Sequence, residues 1–241
     1  TTLAILEKLK DNSYDDIYIY AIIPYAYEFV RLAVSKGILG LARGILMDII
    51  QVHDLHVISY CIKGIIDPIN IIKCYISYEL KRIRKAIGNK ARIKGILLHE
   101  ILTEMMIGFD LDNIARNILK FSKEINVRLG FETRNFAHLI SKLRNWSIDL
   151  RGIPIAAPFN KLGFQMNPSK ESCEKALKTL PEPSVIAMSI LAAGRIPLKT
   201  AAQYIGGLKD YFEAVAVGIS KENHARETFK VLRKNILHTS Q

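Results

Sequence analysis

Two side chains that directly follow apolar runs could carry out proton-transfer chemistry. Lys63 follows the run HVISYCI, and an amine partly shielded from water there could act as a nucleophile or a proton-transfer partner. His99 follows GILL, where an imidazole could shuttle a proton or polarise a carbonyl. The structural alternatives are a solvated lysine and a histidine bonded to a loop carbonyl, and the sequence leaves both open.

A carboxylate and a guanidinium stand two residues apart in the segment GFETRN. On an extended chain Glu132 and Arg134 project to the same side. They could form a mutual ion pair, which the spacing slightly favours, or Arg134 could grip an anion with two hydrogen bonds. We therefore take Glu132 as a candidate catalytic carboxylate and Arg134 as a candidate anion-binding residue.

A long polar segment, APFNKLGFQMNPS, follows another apolar run and is rich in amide side chains that could orient a substrate. Its candidate binding residues are Asn160, Lys161, Gln165 and Asn167. Lys161 is also a second candidate amine for covalent catalysis. The alternative is a structural loop packed by its own apolar side chains, Phe159, Phe164 and Met166.

Small residues follow the last two apolar runs, in LAAGRIP and VGIS. Such turns, when they lead into a helix N-terminus, often hold a phosphate with backbone N–H groups and the helix dipole. Ser189, Arg195 and Ser220 are the candidate phosphate-binding residues, with Arg195 adding charge. No HExxH motif or carboxylate cluster occurs, and we expect no metal site.

Seven short apolar runs would have to position these side chains. We predict them as buried parallel strands because they are apolar without strict alternation. They are Ile17–Ile23, His56–Ile62, Ile93–Leu98, Val127–Phe131, Ile153–Ala157, Val185–Ile190 and Glu213–Gly218. Each is followed by a stretch with helical periodicity, and no GxGxxG turn follows the first. The cadence predicts a (β/α)8-type TIM barrel over residues 1–241, a single domain in which the strand C-terminal ends gather the candidate residues.

The predicted barrel lacks one of its eight strands. Helix starts and ends in the sequence support the alternation of strands and helices. The missing strand is absent, irregular, or hidden near Gly37–Gly44, with Thr1–Tyr14 read as a preceding helix. Asp67–Pro68 predicts a helix start, and Gly88 its end. Ser169 and Ser220 are predicted N-caps of two further helices.

The chain carries 34 Lys and Arg against 23 Asp and Glu, a net charge of +11. The basic residues are scattered along helices without a basic-aromatic tract, which favours a solvated basic surface over a nucleic-acid groove. Three cysteines without paired spacing argue against a disulfide framework and for a reducing, cytoplasmic compartment. No apolar run is long enough to span a membrane, and we expect no membrane partner.

The segment from Val185 to Leu232, VIAMSILAAGRIPLKTAAQYIGG and FEAVAVGISKENHARETFKVL, resembles the last two βα units of aldo-keto reductases. GFETRNF is similar in placement to that family's GxSNF turn, and Lys63 and His99 occupy the places of its catalytic Lys and His. The resemblance implies NADPH as cofactor and a catalytic tyrosine within Ile19–Glu28, for which Tyr27 is the candidate. That stretch lacks the Asp that the family has at this place.

A second resemblance rests on the segments GFETRN, APFNKLGFQMNPS and AMSILAAG. They resemble a group of archaeal barrel proteins without an established activity.

Taken together, the residues predict a metabolic enzyme that acts on a small anionic or phosphorylated substrate. Nicotinamide-dependent reduction is one version of this prediction. A lyase or aldolase that forms a Schiff base on Lys63 or Lys161 is a second. The rival class is a non-catalytic binding protein, and fold analogy alone does not decide among them.

Overall fold

The computed structural model describes residues 17–23, 55–64, 68–88, 91–219 and 221–236 of the 241-residue chain. In these ranges the strands are β1 Tyr18–Ile23, β2 Arg92–Leu98, β3 Arg128–Glu132, β4 Ile155–Pro158, β5 Val185–Met188 and β6 Phe212–Val215. The α-helices are α1 Leu55–Gly64, α2 Pro68–Ile87, α3 Glu100–Gly108, α4 Asp112–Ile125, α5 Phe136–Asn145, α6 Lys170–Leu177, α7 Leu198–Gly206 and α8 Glu222–Ile236. The predicted helix over Thr1–Tyr14 and the possible strand near Gly37–Gly44 lie outside the described residues.

The strands form a parallel α/β sheet, and the prediction of a closed barrel is wrong. The six described strands follow chain order, from β1 to β6, and all are parallel. β1 and β6 are the two end strands of that order, so the sheet is open. Six of the seven predicted strands are confirmed within a few residues at each end. The remaining predicted strand, His56–Ile62, is a helix, so the described ranges hold six strands rather than the eight of the predicted ring.

Contacts divide the chain into two compact units, and the first comprises residues 1–99 and 113–130. Here the run predicted as a strand over His56–Ile62 forms α1 instead. Val57 is buried beside Cys74 and Tyr78 of α2, and the Tyr60 ring meets the Phe121 ring edge-on at 5.4 Å. A short, largely apolar run does not show whether its period is that of a strand or a helix, and packing against α2 decides for the helix.

Helix α2 forms where the sequence predicts it. It begins at Pro68, and Gly88 follows its last residue with a positive φ of 57°, the conformation that commonly ends helices. Ile76, Leu80, Ile83 and Ile87 are buried at the predicted spacings of four and three. Within the described ranges no helix is both long and apolar enough to cross a lipid bilayer.

The second unit comprises residues 100–112 and 131–241 and contains the C-terminal residues of β3 together with β4, β5 and β6. β4 is buried along its whole length, as expected for a parallel strand covered on both faces. Three aromatic rings of this unit pack edge-on. The ring centre of Phe159 lies 5.2 Å from that of Phe136 and 5.1 Å from that of Phe212. Phe159 follows β4, so these contacts fix the start of the loop after that strand.

Helices α7 and α8 approach closely at Gly206, and this contact generates a prediction. A Cβ added at Gly206 would lie 2.7 Å from the backbone oxygen of Asn235. We expect Gly206→Ala to lower the free energy of unfolding by about 1–3 kcal/mol, because the α8 backbone must move to relieve the overlap. Urea unfolding followed by the fluorescence of Trp146, the only tryptophan, measures it. Gly108→Ala is the control, since a Cβ there meets nothing within 4 Å. An equal effect of both substitutions would contradict the prediction.

Candidate functional site

The loop after β3 is fixed by one carboxylate of helix α3. Glu104 Oε1 accepts hydrogen bonds from the Thr133 hydroxyl at 2.7 Å and from the Arg134 N–H at 3.2 Å. Its other oxygen accepts from the Asn135 side-chain amide at 2.7 Å. Thr133 is fully buried, and its hydroxyl oxygen also accepts the Asn135 N–H at 2.9 Å. The segment Thr133–Asn135 is therefore held by hydrogen bonds at every residue.

Glu132 and Arg134 are both positioned by the first residue of α3. A Glu132 carboxylate oxygen accepts the backbone N–H of Glu100 at 3.2 Å, at the helix N-terminus where negative charge is favourable. Arg134 Nε lies 2.5 Å from a carboxylate oxygen of Glu100. The sequence favours Glu132 as the ion-pair partner of Arg134, and the ion pair that the structure shows is with Glu100. The reason is that α3 places its first turn against the end of β3.

Asn160 is a structural residue of the loop after β4. It is fully buried, its side-chain amide donates to the Phe164 carbonyl at 2.8 Å, and its side-chain oxygen accepts the Phe164 N–H at 2.8 Å. These two bonds close the loop on itself, so Asn160 orients the loop rather than presenting its amide to a ligand. Lys161 and Asn167 are exposed, and Gln165 adopts a positive φ of 60° within the same loop.

The loops after β3 and β4 are in direct contact. The N–H of Asn167 donates to the carbonyl of Arg134 at 3.0 Å. The Asn167 carbonyl in turn accepts from the Cys173 thiol at 3.3 Å, and burial raises the pKa of that thiol. Ser169 caps α6 through its hydroxyl, which accepts the Ser172 N–H at 3.1 Å, and this confirms the predicted N-cap.

The loop after β5 turns through a left-handed backbone and places Arg195 on the loop after β4. Ser189, Ala192 and Ala193 have φ values of 53°, 48° and 57°, followed by Gly194 at 82°. Each non-glycine residue in this region costs about 1–2 kcal/mol. Ala192 is buried against Ile196, which helps to offset that cost. The Arg195 guanidinium lies 4.9 Å from the centre of the Phe164 ring, a cation–π distance.

Two other predicted site residues lie in the first unit, and two fall outside the described residues. Lys63 is exposed in the last turn of helix α1, so its predicted place at the end of a strand is wrong. His99 follows β2 as predicted, and its backbone N–H donates to the carbonyl of Ile23 at 2.8 Å. Tyr27 and Ser220 lie outside the described residues, and their roles stay predictions.

The cysteines differ from the sequence expectation at one position. Cys74 is disulfide-bonded, which contradicts the expectation of unpaired cysteines, whereas Cys173 is a buried free thiol. Over the described part of the chain no group of three His, Cys, Asp or Glu side chains could hold a metal ion. The carboxylates around α3 instead accept hydrogen bonds from the protein itself or pair with Arg134.

Comparison with known proteins gives no relative: no family model, no curated protein and no solved structure matches this chain. The resemblances to aldo-keto reductases and to the archaeal barrel group therefore stay predictions. The helical placement of Lys63 removes one of the residue correspondences on which the reductase interpretation depends.

Sequence reasoning missed Glu104. It stands four residues after Glu100, which places both carboxylates on the same face of α3. This spacing was the available signal, but nothing in the sequence shows that α3 faces the Thr133–Asn135 segment. The role of this helix residue, which accepts three hydrogen bonds from the loop after β3, is therefore visible only in the folded chain.

We expect Glu104→Ala to lower the free energy of unfolding of the second unit by about 2–4 kcal/mol, because the buried Thr133 hydroxyl and the Asn135 amide lose their acceptor. Glu104→Gln should have a smaller effect, since one of its two side-chain heteroatoms still accepts. Trp146 fluorescence in urea measures both variants. Glu227→Ala, on the exposed face of α8, is the matched control. A Glu104→Ala variant as stable as the control would show that the network contributes nothing.

Proposed function

We propose that the loops after β3, β4 and β5 form the substrate site of an enzyme that acts on small organic anions, phosphorylated or carboxylated. The observation that carries this proposal is that the three loops touch in series. Asn167 binds the Arg134 carbonyl at 3.0 Å, and Arg195 stacks on Phe164 at 4.9 Å. Side chains that are 61 residues apart in sequence, from Arg134 to Arg195, thus belong to one continuous surface.

Each loop contributes one exposed cation to that surface: Arg134, Lys161 and Arg195. Guanidinium groups recognise carboxylates and phosphates through paired hydrogen bonds, and an ammonium adds a compact charge. Three cations on three neighbouring loops favour a small anion over an uncharged ligand.

Two of the three cations are pre-oriented, which supports a specific site over a general basic surface. Glu100 holds Arg134 through its Nε, and Phe164 holds Arg195 by its ring face. Ordering a free arginine side chain on binding costs about 0.5–1.5 kcal/mol, and a side chain that is already ordered avoids part of that cost.

Glu132 is the proton-transfer group of the proposed enzyme. Its carboxylate is partly buried at the last residue of β3, beside the loop that carries Arg134. A carboxylate at a parallel strand's C-terminal end is where α/β enzymes commonly place catalytic groups. The reaction class that fits is proton removal from, or donation to, a bound organic anion.

Anion binding tests the proposal directly. In calorimetric titrations with inorganic phosphate, glycerol 3-phosphate and malate, we expect at least one ligand to bind in the millimolar range or tighter. Arg195→Ala should weaken binding about tenfold or more, because a charge-assisted bidentate contact contributes about 1.5–3 kcal/mol. Lys161→Ala should weaken it less, since a single exposed ammonium contributes less.

Arg226→Ala is the matched control, because Arg226 is an exposed arginine of α8 that is paired with Glu222. It should leave the affinity unchanged within twofold, well under the tenfold effect that about 1.4 kcal/mol produces. Equal losses for Arg195→Ala and Arg226→Ala would show that only the overall charge attracts the anions. The absence of any binding at about 10 mM ligand would overturn the proposed site.

A further inference from the structure

Five side chains from the N-terminal ends of β1, β2 and β3 come together in the first unit. Tyr18 and Tyr20 stand on β1, Arg92 and Lys94 on β2, and Arg128 begins β3. We call this set the basic-aromatic surface. We propose that it binds single-stranded nucleic acid, with the tyrosine rings stacking on bases and the cations neutralising phosphates.

A β-bulge places Lys94 between the two tyrosines. Ile19 pairs with Ile93 and Tyr20 with Gly95, so Lys94 is the extra residue of β2. Its ammonium lies 5.5 Å from the centre of the Tyr18 ring and 6.0 Å from that of Tyr20. The bulge therefore directs a cation to the two tyrosines, so that a ring for stacking and a charge for a phosphate stand side by side.

Arg128 holds this arrangement together. One of its terminal nitrogens donates to the Tyr20 hydroxyl at 2.8 Å, and its Nε donates to the Lys94 carbonyl at 3.2 Å. Arg128 thereby links β3 to the Tyr20 side chain of β1 and to the bulged residue Lys94 of β2. We assign Arg128 as a positioning residue, whereas Tyr18, Arg92 and Lys94 face the ligand.

The ligand-facing residues are accessible. Tyr18 is 51% exposed, and Arg92 and Lys94 are also exposed. An exposed ring beside cations can stack on any base, at about 1–3 kcal/mol per base.

The charge of the chain is concentrated in the same unit. Residues 1–99 and 113–130 contain 18 Lys and Arg against 10 Asp and Glu, whereas the second unit contains 16 against 13. This asymmetry favours a polyanionic partner for the first unit and is absent from the second.

Rings and cations together favour nucleic acid over other polyanions. Phospholipid headgroups and inorganic polyphosphate have phosphates but no planar base to stack on Tyr18. Duplex DNA has its bases stacked internally, so a half-exposed ring on a sheet suits a single strand. The sequence expectation of a solvated basic surface came from a search along the chain, whereas these residues stand on three strands, at positions 18–20, 92–94 and 128.

Fluorescence anisotropy of the full chain with a labelled oligouridine of about twelve nucleotides tests the proposal, since such strands span typical single-strand sites. Tyr18→Ala should weaken binding about tenfold, and Tyr18→Phe should restore it to within about twofold, because the stacking face is kept. Lys94→Ala should reduce the slope of log affinity against log salt by about 0.7, the value for one phosphate contact on a single strand.

Two controls are matched in exposure and charge. Phe229→Ala is the control for Tyr18→Ala, because Phe229 is a ring on α8 that is 50% exposed. Lys230→Ala is the control for Lys94→Ala, because Lys230 is an exposed lysine of the same helix. Both should bind oligouridine like the unaltered chain. Arg195→Ala should also bind it normally, which separates this surface from the proposed anion site of the second unit.

Three outcomes would overturn the proposal. Equal losses for Tyr18→Ala and Phe229→Ala would show that no stacking site exists. Equal affinity for inorganic polyphosphate, unaffected by Tyr18→Ala, would reduce the surface to its charge. Tighter binding to phosphatidylserine–phosphatidylcholine vesicles than to oligouridine would assign it to a membrane surface instead.

Discussion

Parallel hydrogen bonding between strands is the constraint on which the rest of the structure depends. In the second unit the ladder continues to the first loop residues. Thr133 N–H donates to Ala156, Phe159 N–H to Met188 and Ala216 N–H to Ala187, at 2.8–3.0 Å. Because parallel strands end at the same edge, each loop begins next to its neighbour. The contacts between the loops after β3, β4 and β5 follow from this ladder, and the proposed anion site follows from those contacts.

In these loops the buried polar groups hold the backbone, and the exposed cations are the proposed ligand-binding groups. Glu104 and Asn160 form hydrogen bonds with the backbone and side chains around them. The Asn135 amide and the Phe164 carbonyl gain partners in this way. The left-handed turn through Ala192 and Ala193 costs free energy that a relaxed loop would not. The hydrogen bonds hold the loops after β3 and β4, and the Phe164 ring of the second loop contacts Arg195 of the loop after β5.

The sequence could predict the strands because parallel strands are apolar throughout and are separated by helical periodicity. It failed at His56–Ile62, where a short, largely apolar run shows no clear period and packing against α2 decides for a helix. The spacing of Glu132 and Arg134 makes them candidates, and their roles stay predictions, whereas Glu104 was missed because its contacts depend on which way α3 faces. It also missed the basic-aromatic surface, because a search for a continuous tract does not detect Tyr18, Lys94 and Arg128 on three strands. A local sequence pattern does not show which residues from distant parts of the chain become neighbours.

Hydrogen–deuterium exchange on the full chain tests whether the strand-end loops of the second unit bind small anions. With a saturating organic phosphate, we expect slower exchange in peptides that cover residues 132–136, 160–167 and 189–196. Peptides that cover 91–95 and 127–130 should be unchanged by the phosphate and should exchange more slowly with oligouridine. Anion binding at these loops would be refuted by equal protection of both sets of peptides with either ligand, or by no protection of the loops.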